Sequence, residues 1–337
     1  MRIVVLAGGV GGARFLRGLL AAVGDQPDTE VTVVGNTGDD LTLFGLRVCP
    51  DLDTVLYTLG GGVHEEQGWG RREERFTLAE ELTAYGVGPD WFTLGDRDLA
   101  THVVRSQMLG AGYPLSQVTA ALCDRWWRPD PRLAGWRLLP MSDDRVETHV
   151  VVADPEAPGS RRAVHFQEYW VRWHAEPTAY AITAVGAEEA KPAPGVLEAI
   201  STADVVLLPP SNPVVSIGTI LAVPGIRTAL EETAAPVVGL SPLVGGAPVR
   251  GWADRVLRVI GVEPTAAAVA LHYGARLLDG WLVDTVDQET VAPVQAGGIA
   301  CRAVELTGLA DPERAQAMAV EALRLAARLG EPAPEAG

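Results

Sequence analysis

Four aspartates stand close together near the start of the chain, in a pattern that suits metal binding. Asp39 and Asp40 end the segment Asn-Thr-Gly-Asp-Asp, and Asp51 and Asp53 follow 11 and 13 residues after Asp40. Proteins commonly hold Mg²⁺ through one or two carboxylates together with substrate phosphates, so the set predicts a Mg²⁺ site. Each aspartate alone could instead cap a helix or lie in a turn, but the whole set is harder to explain that way.

A glycine-rich turn precedes the aspartates and suits a phosphate group. Residues 8–12 read Gly-Gly-Val-Gly-Gly and lie between the apolar run Ile3–Leu6 and a helical pattern. A helix that starts after such a turn presents backbone N–H groups and the positive end of its dipole to an anion. The GxGxxG dinucleotide fingerprint is not satisfied, because its third glycine falls on Arg14, and Asn36 replaces the acid that binds ribose. The turn therefore favours phosphate or nucleotide contact over NAD, with a purely structural turn as the alternative.

A third candidate segment carries alternating charges before a predicted helix. Asp96, Arg97 and Asp98 lie in the sequence Gly-Asp-Arg-Asp, and His102 and Arg105 follow, three apart on one helical face. Arg97 could bind a phosphate, and Asp96 or Asp98 could bind a metal or a hydroxyl. In the alternative, structural interpretation, the acids cap the helix and Arg97 forms a surface ion pair.

A fourth segment joins a buried apolar run to a stiff polar turn. Leu207–Leu208 leads into Pro-Pro-Ser-Asn-Pro, where prolines bracket Ser211 and Asn212. The two side chains suit hydrogen bonds to a base, a ribose or a phosphate. An ordinary stiff loop is the alternative.

Apolar runs without polar alternation indicate the strands that must position these residues. Such runs suit parallel strands that helices cover on both faces. The predicted strands are Ile3–Leu6, Val31–Val34, Thr148–Val152, Val205–Leu208, Val237–Leu240 and Trp281–Val283. Helical patterns between or after them lie at Ala13–Val23, Pro194–Thr202, Ile226–Glu232 and Ala310–Leu329. The alternation predicts an α/β fold with a doubly wound, mostly parallel Rossmann-like sheet.

The domain organisation follows from a change in composition along the chain. Residues 61–145 are rich in Trp, Arg and Glu and contain helical patterns at Leu78–Tyr85, Leu99–Leu109 and Leu115–Trp127. We interpret this segment as a mostly helical insertion that covers the active site. The Rossmann-like nucleotide-binding core then comprises residues 1–60 and 146–330, and the Pro- and Ala-rich residues 331–337 form a flexible tail.

Bulk composition excludes several classes of protein. The 337 residues carry a net charge of −16, which disfavours binding to a nucleic acid, because that needs clustered Lys and Arg. Lys191 is the only lysine, so the lysine-based P-loop is absent. No apolar run reaches the roughly 18 residues of a membrane span, and Met1 leads directly into a strand, so we expect a cytoplasmic protein without a membrane partner. Cys49, Cys123 and Cys301 are far apart, and we expect unpaired, mostly buried thiols.

Several segments together resemble the 2-phospho-L-lactate transferase family, which acts in making the deazaflavin coenzyme F420. They span nearly the whole chain in a consistent order, which makes the resemblance more specific than a lone glycine motif. The segments are AGGVGGARF from Ala7, NTGDD from Asn36, CPDLDTVLYTL from Cys49, LGDRDLATH from Leu94, LPMSDD from Leu139, HFQEYW from His165, PSNPVVSIG from Pro210 and SPLVGG from Ser241. GWG at Gly68–Gly70 and RSQMLGAGYPLSQVT from Arg105 resemble the actinobacterial branch.

The resemblance implies a transfer between two small molecules. The donor is a guanosine diphosphate-linked three-carbon acid, and the acceptor is the terminal ribityl hydroxyl of the deazaflavin Fo. The phosphoenolpyruvyl or 2-phospho-L-lactyl group moves to Fo, GMP leaves, and Mg²⁺ assists. The family also implies a homodimer, for which Ala310–Leu329 is a plausible packing helix.

The resemblance assigns roles to particular residues of this sequence. The implied Mg²⁺ ligands are Asp40 and Asp53, with Asp39 as a further candidate. The implied Fo contacts are Asp53 and Thr93, and the implied catalytic residues are Asp53, Asp96, Arg97 and Asp98. The implied nucleotide and phosphate contacts are Gly9, Gly11, Gly12, Asn36, Ser211 and Asn212. Asp53, Asp96 or solvent would accept the hydroxyl proton.

Two other functions use the same opening segments. An NAD(P)-linked oxidoreductase would share the strand, glycine turn and helix, but the missing third glycine and ribose acid count against it. A non-catalytic nucleotide-sensing protein would share the phosphate site, but it has little need for four clustered aspartates. We therefore expect a transferase.

Overall fold

Short apolar segments form the strands of the protein, and glycine, proline and polar residues separate them. The computed structural model describes residues 1–26 and 28–330. The strands are β1 (Arg2–Ala7), β2 (Glu30–Gly35), β3 (Leu41–Leu43), β4 (Leu46–Val48), β5 (Trp136–Pro140), β6 (Glu147–Ala153), β7 (Arg161–His165), β8 (Ala179–Val185), β9 (Val205–Leu208), β10 (Val237–Leu240), β11 (Leu243–Val244), β12 (Ala247–Pro248), β13 (Gly280–Asp284) and β14 (Ala300–Val304). The tail predicted at residues 331–337 lies outside the described residues.

The central sheet contains seven strands in the order β14-β13-β10-β9-β1-β2-β5. All its neighbouring strands pair in parallel. The chain runs outward from β1 through β2 to β5, returns to β9 on the other side of β1, and continues outward to β14. This reversal between β1 and β9 opens a crevice at the carboxyl ends of the two strands. The predicted doubly wound α/β fold is confirmed.

Helices cover both faces of this sheet. The helices are α1 (Gly9–Val23), α2 (Pro50–Leu59), α3 (Thr77–Ala84), α4 (Asp96–Gly110), α5 (Leu115–Trp127), α6 (Val196–Ser201), α7 (Ile217–Ala222), α8 (Ile226–Glu232), α9 (Ala253–Val259), α10 (Ala266–Tyr273), α11 (Val291–Ala296) and α12 (Pro312–Gly330). Ile3 and Val5 point into a core shared with α1, α2, α5 and α12. Val4 and Leu6 point into a second core, shared with α6, α7, α8, α10 and α11. Successive β1 residues thus face opposite layers, as the pleat requires. Short 3₁₀ turns lie at Pro131–Leu133, Ala187–Glu189 and Thr285–Thr290, and a π turn lies at Glu168–Arg172.

One predicted strand of the central sheet belongs elsewhere. Thr148–Val152 falls in β6, which pairs antiparallel with β7 and β8 in a separate three-stranded sheet. Burial alternates along β6, with Thr148, Val150 and Val152 inside. Only one face of the strand is therefore covered, which distinguishes it from the two-sided burial of the parallel strands.

The segment predicted as a helical insertion also contributes a strand to the central sheet. Helices α3, α4 and α5 lie within residues 61–145, as expected, but β5 (Trp136–Pro140) pairs in parallel with β2. The helical part of this segment therefore ends before residue 136. Burial alternates along β5, and its sequence therefore lacks the continuous apolar run by which the other parallel strands were predicted.

The C-terminal helix α12 packs inside the chain. Its buried residues include Met318, Ala322 and Leu325, and they share a core with Phe15 and Leu19 of α1. The apolar face that suggested a pairing helix is thus covered by α1. Across residues 1–26 and 28–330, no helix has the length and apolar character needed to cross a membrane.

Candidate active site

Three loops meet at the crevice where β1, β2 and β9 end. They are the glycine turn after β1, the Asn-Thr-Gly-Asp-Asp loop after β2 and the Pro-Pro-Ser-Asn-Pro turn after β9. Parallel neighbouring strands direct their carboxyl ends to one edge of the sheet, so these loops must lie side by side. The sheet topology thus brings together segments that are up to about 200 residues apart in the chain.

Two glycines of the turn allow α1 to approach the β9 loop closely. A Cβ atom at Gly11 would lie 2.4 Å from the carbonyl oxygen of Pro210, and one at Gly12 would lie 2.7 Å from Ser211 Oγ. The Ser211 hydroxyl donates to the Gly8 carbonyl at 2.8 Å and accepts from the Gly8 N–H at 3.3 Å. Gly11, Gly12 and Ser211 therefore have a clear structural function, in addition to the nucleotide contacts that remain predictions.

Gly9 is the open position of the turn. It has a φ of +64°, and a Cβ atom there would meet no atom within 4 Å. The side chain of Asn212, by contrast, is already engaged within the protein. The Asn212 Oδ1 accepts from the N–H groups of Val214 and Val215 at 2.9 and 3.2 Å. Asn212 therefore shapes its own turn, and Gly9 presents the accessible backbone.

Asn36 holds the centre of the site together. Its side-chain nitrogen lies 2.9 Å from Asp51 Oδ2, 3.3 Å from Asp39 Oδ1 and 3.2 Å from the Val215 carbonyl oxygen. Its Oδ1 accepts from the N–H of Gly38 at 2.9 Å. The side chain is fully buried. The structure therefore gives Asn36 a supporting function, and its nucleotide contact stays a prediction.

Asp39 and Asp51 form a buried carboxylate pair around this amide. Burial and the neighbouring Asp51 charge raise the pKa of Asp39 well above its usual range. Burial raises the pKa of Asp51 to about 6, although the Asn36 amide opposes the shift. Asp51 also lies against the glycine turn, since a Cβ atom at Gly8 would be 2.7 Å from Asp51 Oδ2. Asp39 and Asp51 therefore lie together beside the predicted phosphate position.

Gln167 completes what we call the Asn36 cluster, which comprises Asn36, Asp39, Asp51 and Gln167. The Gln167 side-chain nitrogen donates to Asp39 Oδ2 at 3.1 Å, and the residue is buried. The sequence places Asp51 in the aspartate set without a ligand role and gives Gln167 no role. The HFQEYW segment contains Gln167 and is the one signal that could have identified it.

Asp40 is buried next to the Asn36 cluster. Arg47 donates to Asp40 Oδ2 at 3.1 Å, while Asp40 Oδ1 has no hydrogen-bond partner among the described residues. His165 Nε2 contacts the Asp40 carbonyl oxygen at 3.2 Å. Burial raises the pKa of Asp40 to about 6, and Arg47 opposes the shift. An unpartnered buried carboxylate oxygen is a group that a cation or a proton would stabilise.

Asp53 is committed to an internal ion pair. Arg105 contacts both of its oxygens, Oδ2 at 3.1 Å, and both side chains are buried. His102 Nδ1 lies 3.7 Å from the same Oδ2. Burial alone would lower the pKa of Arg105, but the Asp53 charge outweighs it and the pKa is raised. Because a cation already occupies both oxygens, Asp53 fits a Mg²⁺ ligand poorly in this conformation.

Asp98 extends this buried network from α4 to α2. It accepts from the Tyr57 hydroxyl at 2.5 Å and lies 3.4 Å from His102 Nε2. Burial favours its neutral form, but the contacts with His102 and Tyr57 outweigh that effect and lower the pKa of Asp98. The network (Asp53, Tyr57, Asp98, His102 and Arg105) thus joins α2 and α4 through ion pairs and hydrogen bonds.

Three other predicted residues lie at the surface. Asp96 accepts from the N–H groups of Thr77 and Leu78 at 3.3 and 3.1 Å, and the Leu78 bond lowers its pKa. Arg97 is exposed and pairs with Glu73 at 3.2 Å. Thr93 is exposed too. Asp96 thus caps the start of α3 and not the helix that it begins, Arg97 forms the expected surface ion pair, and the catalytic roles of both stay predictions.

The carboxylates of the crevice can be tested for their fit to Mg²⁺. Within the described ranges, no three His, Cys, Asp or Glu side chains are grouped to hold a metal by themselves. Mg²⁺ needs only one or two carboxylates when substrate phosphates and water complete its shell. The Asp39–Asp51 pair fits that requirement, because a cation would relieve the repulsion of two buried charges. Asp40 fits through its unpartnered oxygen.

The pH dependence of unfolding should report the burial of Asp40. The Asp40 carboxyl keeps its proton up to about pH 6 in the folded protein, whereas in the unfolded chain it loses the proton at about pH 4. The free energy of unfolding therefore falls as the pH rises from about 4 to about 6. The shift from 3.8 to about 6 corresponds to roughly 3 kcal/mol. We expect Asp40→Asn to gain that much free energy of unfolding relative to the parent between pH 4 and pH 7, measured by urea unfolding.

The control for this measurement is Asp204, whose pKa is lowered by a hydrogen bond from the Arg2 N–H. Its carboxylate gains its stabilising effect mainly below about pH 4, so the difference between Asp204→Asn and the parent should stay nearly constant from pH 4 to pH 7. A pH-independent difference between Asp40→Asn and the parent would contradict the assignment.

Comparison with known proteins identifies the family of the chain. The model of the 2-phospho-L-lactate transferase CofD family matches residues 3–323. A phosphoenolpyruvate transferase of Streptomyces griseus is 68% identical over 97% of this chain and 98% of its own. The phosphoenolpyruvate transferase of Mycolicibacterium smegmatis is 56% identical over 97% of this chain and 99% of its own.

Solved structures support the fold. A crystal structure of a Bacillus halodurans protein superimposes with a TM-score of 0.60 at 18% identity and covers 96% of this chain and 99% of that one. At this identity the likeness bears on the fold alone. Together with the family match, which covers nearly the full length, it leads to one conclusion. The chain belongs to the 2-phospho-L-lactate transferase family and is a transferase enzyme.

Proposed function

We propose that the chain transfers a phosphoenolpyruvyl or 2-phospho-L-lactyl group from a guanosine diphosphate-linked donor to Fo. The observation that carries the proposal is the position of Asp39 and Asp51 beside the glycine turn at the reversal point of the sheet. A diphosphate on the turn would lie next to two carboxylates, an arrangement that suits phosphoryl-type transfer. The names of the relatives supply the three-carbon acid.

The proposed reaction is an in-line displacement at one phosphorus. The terminal ribityl oxygen of Fo forms a bond to the phosphorus that carries the three-carbon acid, and the bond from that phosphorus to the GMP oxygen breaks. The hydroxyl proton is released, GMP leaves, and the product contains a new phosphodiester. No covalent enzyme intermediate is needed.

Mg²⁺ fits this proposal as the cofactor, held by Asp39 and Asp51, with Asp40 as a further candidate. When bound, it would offset the negative charge of the donor phosphates and the leaving group. Asn36 and Gln167 orient the two carboxylates through their amide groups. The space beside Gly9 is open to a phosphate oxygen, while the Gly9 N–H faces Asp51.

The acceptor side of the proposal rests on the resemblance. Thr93 lines a small depression with Phe44 and Phe92, and this depression borders neither the glycine turn nor the Asn36 cluster. Asp53 is held in one orientation by Arg105. Asp96 is a weak candidate for the proton acceptor, because backbone hydrogen bonds lower its pKa. Arg105 occupies both Asp53 oxygens, so solvent is the stronger candidate of the two that remain.

The partners in this proposal are small molecules and a second copy of the chain. The net charge of −16 disfavours a nucleic-acid partner. A homodimer follows from the family resemblance, and sedimentation of the purified protein measures it directly.

The proposed function is tested by mixing the protein with Fo, Mg²⁺ and the guanylated donor. We expect GMP release in step with a new Fo phosphodiester, measured by chromatography and mass spectrometry. Donors carrying phosphoenolpyruvate and 2-phospho-L-lactate give products that differ by two hydrogens, so the preferred acid is read from the mass. GDP should bind saturably in calorimetry and NADPH should not. Absence of GMP release with both donors would contradict the proposal.

A further inference from the structure

Two arginines without a carboxylate partner meet beside the glycine turn. Arg14 lies on α1, and Arg250 follows β12. Both guanidinium groups contact the same loop, Arg14 at the Glu65 carbonyl and Arg250 at the Gln67 carbonyl. Among the described residues, neither has a carboxylate oxygen within 4.0 Å, although Arg17 on the same helix pairs with Glu65 at 2.8 Å. Two cations thus lack a direct carboxylate contact in a chain with 43 acidic and 27 basic residues, although the Glu65 charge still acts on Arg14.

Backbone carbonyl groups of one loop hold both arginines in place. Arg14 Nη2 donates to the Glu65 carbonyl at 3.1 Å, and Arg250 Nη2 donates to the Gln67 carbonyl at 2.5 Å. This loop, residues 63–71, is closed by pairing of Val63 with Arg71. Each guanidinium has five N–H donors in a planar fork, so donors of both remain for another acceptor.

The 63–71 loop lies directly on the glycine turn. A Cβ atom at Gly68 would be 2.5 Å from Val10 Cγ1 and 3.0 Å from Arg14 Nη2. Val10 is the central residue of the turn whose Gly9 is open. The arginine pair is therefore next to the proposed phosphate position.

The electrostatics of the pair favour an anion. Burial, then the Arg250 charge, lowers the pKa of Arg14, and burial lowers the pKa of Arg250. An anion between the two would relieve both effects. The two arginines that contact the crevice aspartates are already paired, Arg47 with Asp40 and Arg105 with Asp53.

We infer that Arg14 and Arg250 form an anion-binding subsite that takes a phosphate or carboxylate group of the guanylated donor. This inference rests on the proposed function and adds the residues that recognise the charge of the donor. Planar arginine forks suit both kinds of oxyanion, so the chemistry is shared by the diphosphate and by the carboxylate of the three-carbon acid.

The test compares Arg14→Gln and Arg250→Gln with Arg17→Gln as the matched control. All three lose one positive charge, but Arg17 already has a carboxylate partner. Calorimetry measures the Kd for GDP, and initial rates measure KM for the whole donor. We expect each of the first two variants to weaken binding about tenfold or more, and Arg17→Gln to stay within about twofold.

The two sources of the anion separate in this experiment. Weaker binding of both GDP and the donor assigns the subsite to the diphosphate. Unchanged GDP binding with a raised KM for the donor assigns it to the carboxylate of the acid.

A purely structural function of the arginines has a different signature. The subsite predicts that Arg14→Lys retains more affinity than Arg14→Gln, and that the double Gln variant loses affinity with salt less steeply than the parent. Equal losses in the Lys and Gln variants with an unchanged salt dependence would overturn the inference, as would binding like that of Arg17→Gln. If the parent protein bound neither GDP nor donor, the proposed function would fall together with the subsite; with binding intact in the parent, only the subsite is at stake.

Discussion

Replacing Asp51 with asparagine should lower kcat/KM for the guanylated donor by at least about a hundredfold. The substitution preserves the shape of the side chain and its contact with Asn36 but removes the charge that lies against the glycine turn. Burial disfavours the charged carboxylate of Asp51. The neutral amide avoids that cost, so the variant should fold at least as well as the parent. Steady-state rates at saturating Fo measure the loss, and urea unfolding verifies the fold.

Asp96→Asn is the matched control for Asp51→Asn. Asp96 lies in the segment that the sequence identified as catalytic, but its carboxylate caps α3 at the surface. We expect kcat/KM to change less than about threefold, with a small loss of stability from the weakened cap. If Asp96→Asn inactivated the enzyme while Asp51→Asn did not, the assignment of the Asn36 cluster as the centre of the site would be wrong.

Replacing Arg105 with methionine should lower the free energy of unfolding by about 3–5 kcal/mol. The change leaves Asp53 buried without its cation and removes the link between α4 and the start of α2. A buried charge that loses its partner keeps its desolvation penalty, which is why the expected loss is large. Urea unfolding of parent and variant at pH 7 measures it.

Two comparisons separate this effect from a general loss of charge. Arg97→Gln breaks an exposed pair with Glu73 and should cost less than about 1 kcal/mol. The double variant Arg105→Met with Asp53→Leu removes both buried charges and should recover much of the stability lost in the single variant. If Arg105→Met and Arg97→Gln lost similar amounts of free energy of unfolding, the buried pair would contribute no more to stability than the exposed one.

The local pattern of the sequence determined most of the sheet and the position of the site. The runs Ile3–Leu6, Val31–Val34 and Val205–Leu208 lie in β1, β2 and β9, because β-branched segments covered on both faces leave a clear apolar signature. The helix over Leu115–Trp127 has its predicted bounds. Once these strands are parallel, the loops that follow them must share one edge, so the gathering of the glycine turn and the aspartates follows from the sequence.

Tertiary structure alone decided which aspartate does what. Asp53 and Asp51 lie two residues apart on α2 and look alike in the sequence, yet one faces Arg105, 52 positions away, and the other faces Asn36. Gln167 reaches Asp39 across 128 positions through a sheet that the sequence did not separate from the core. Strand and helix patterns arise from neighbouring residues, whereas the partner of a buried charge depends on how distant segments pack, and no local pattern records that choice.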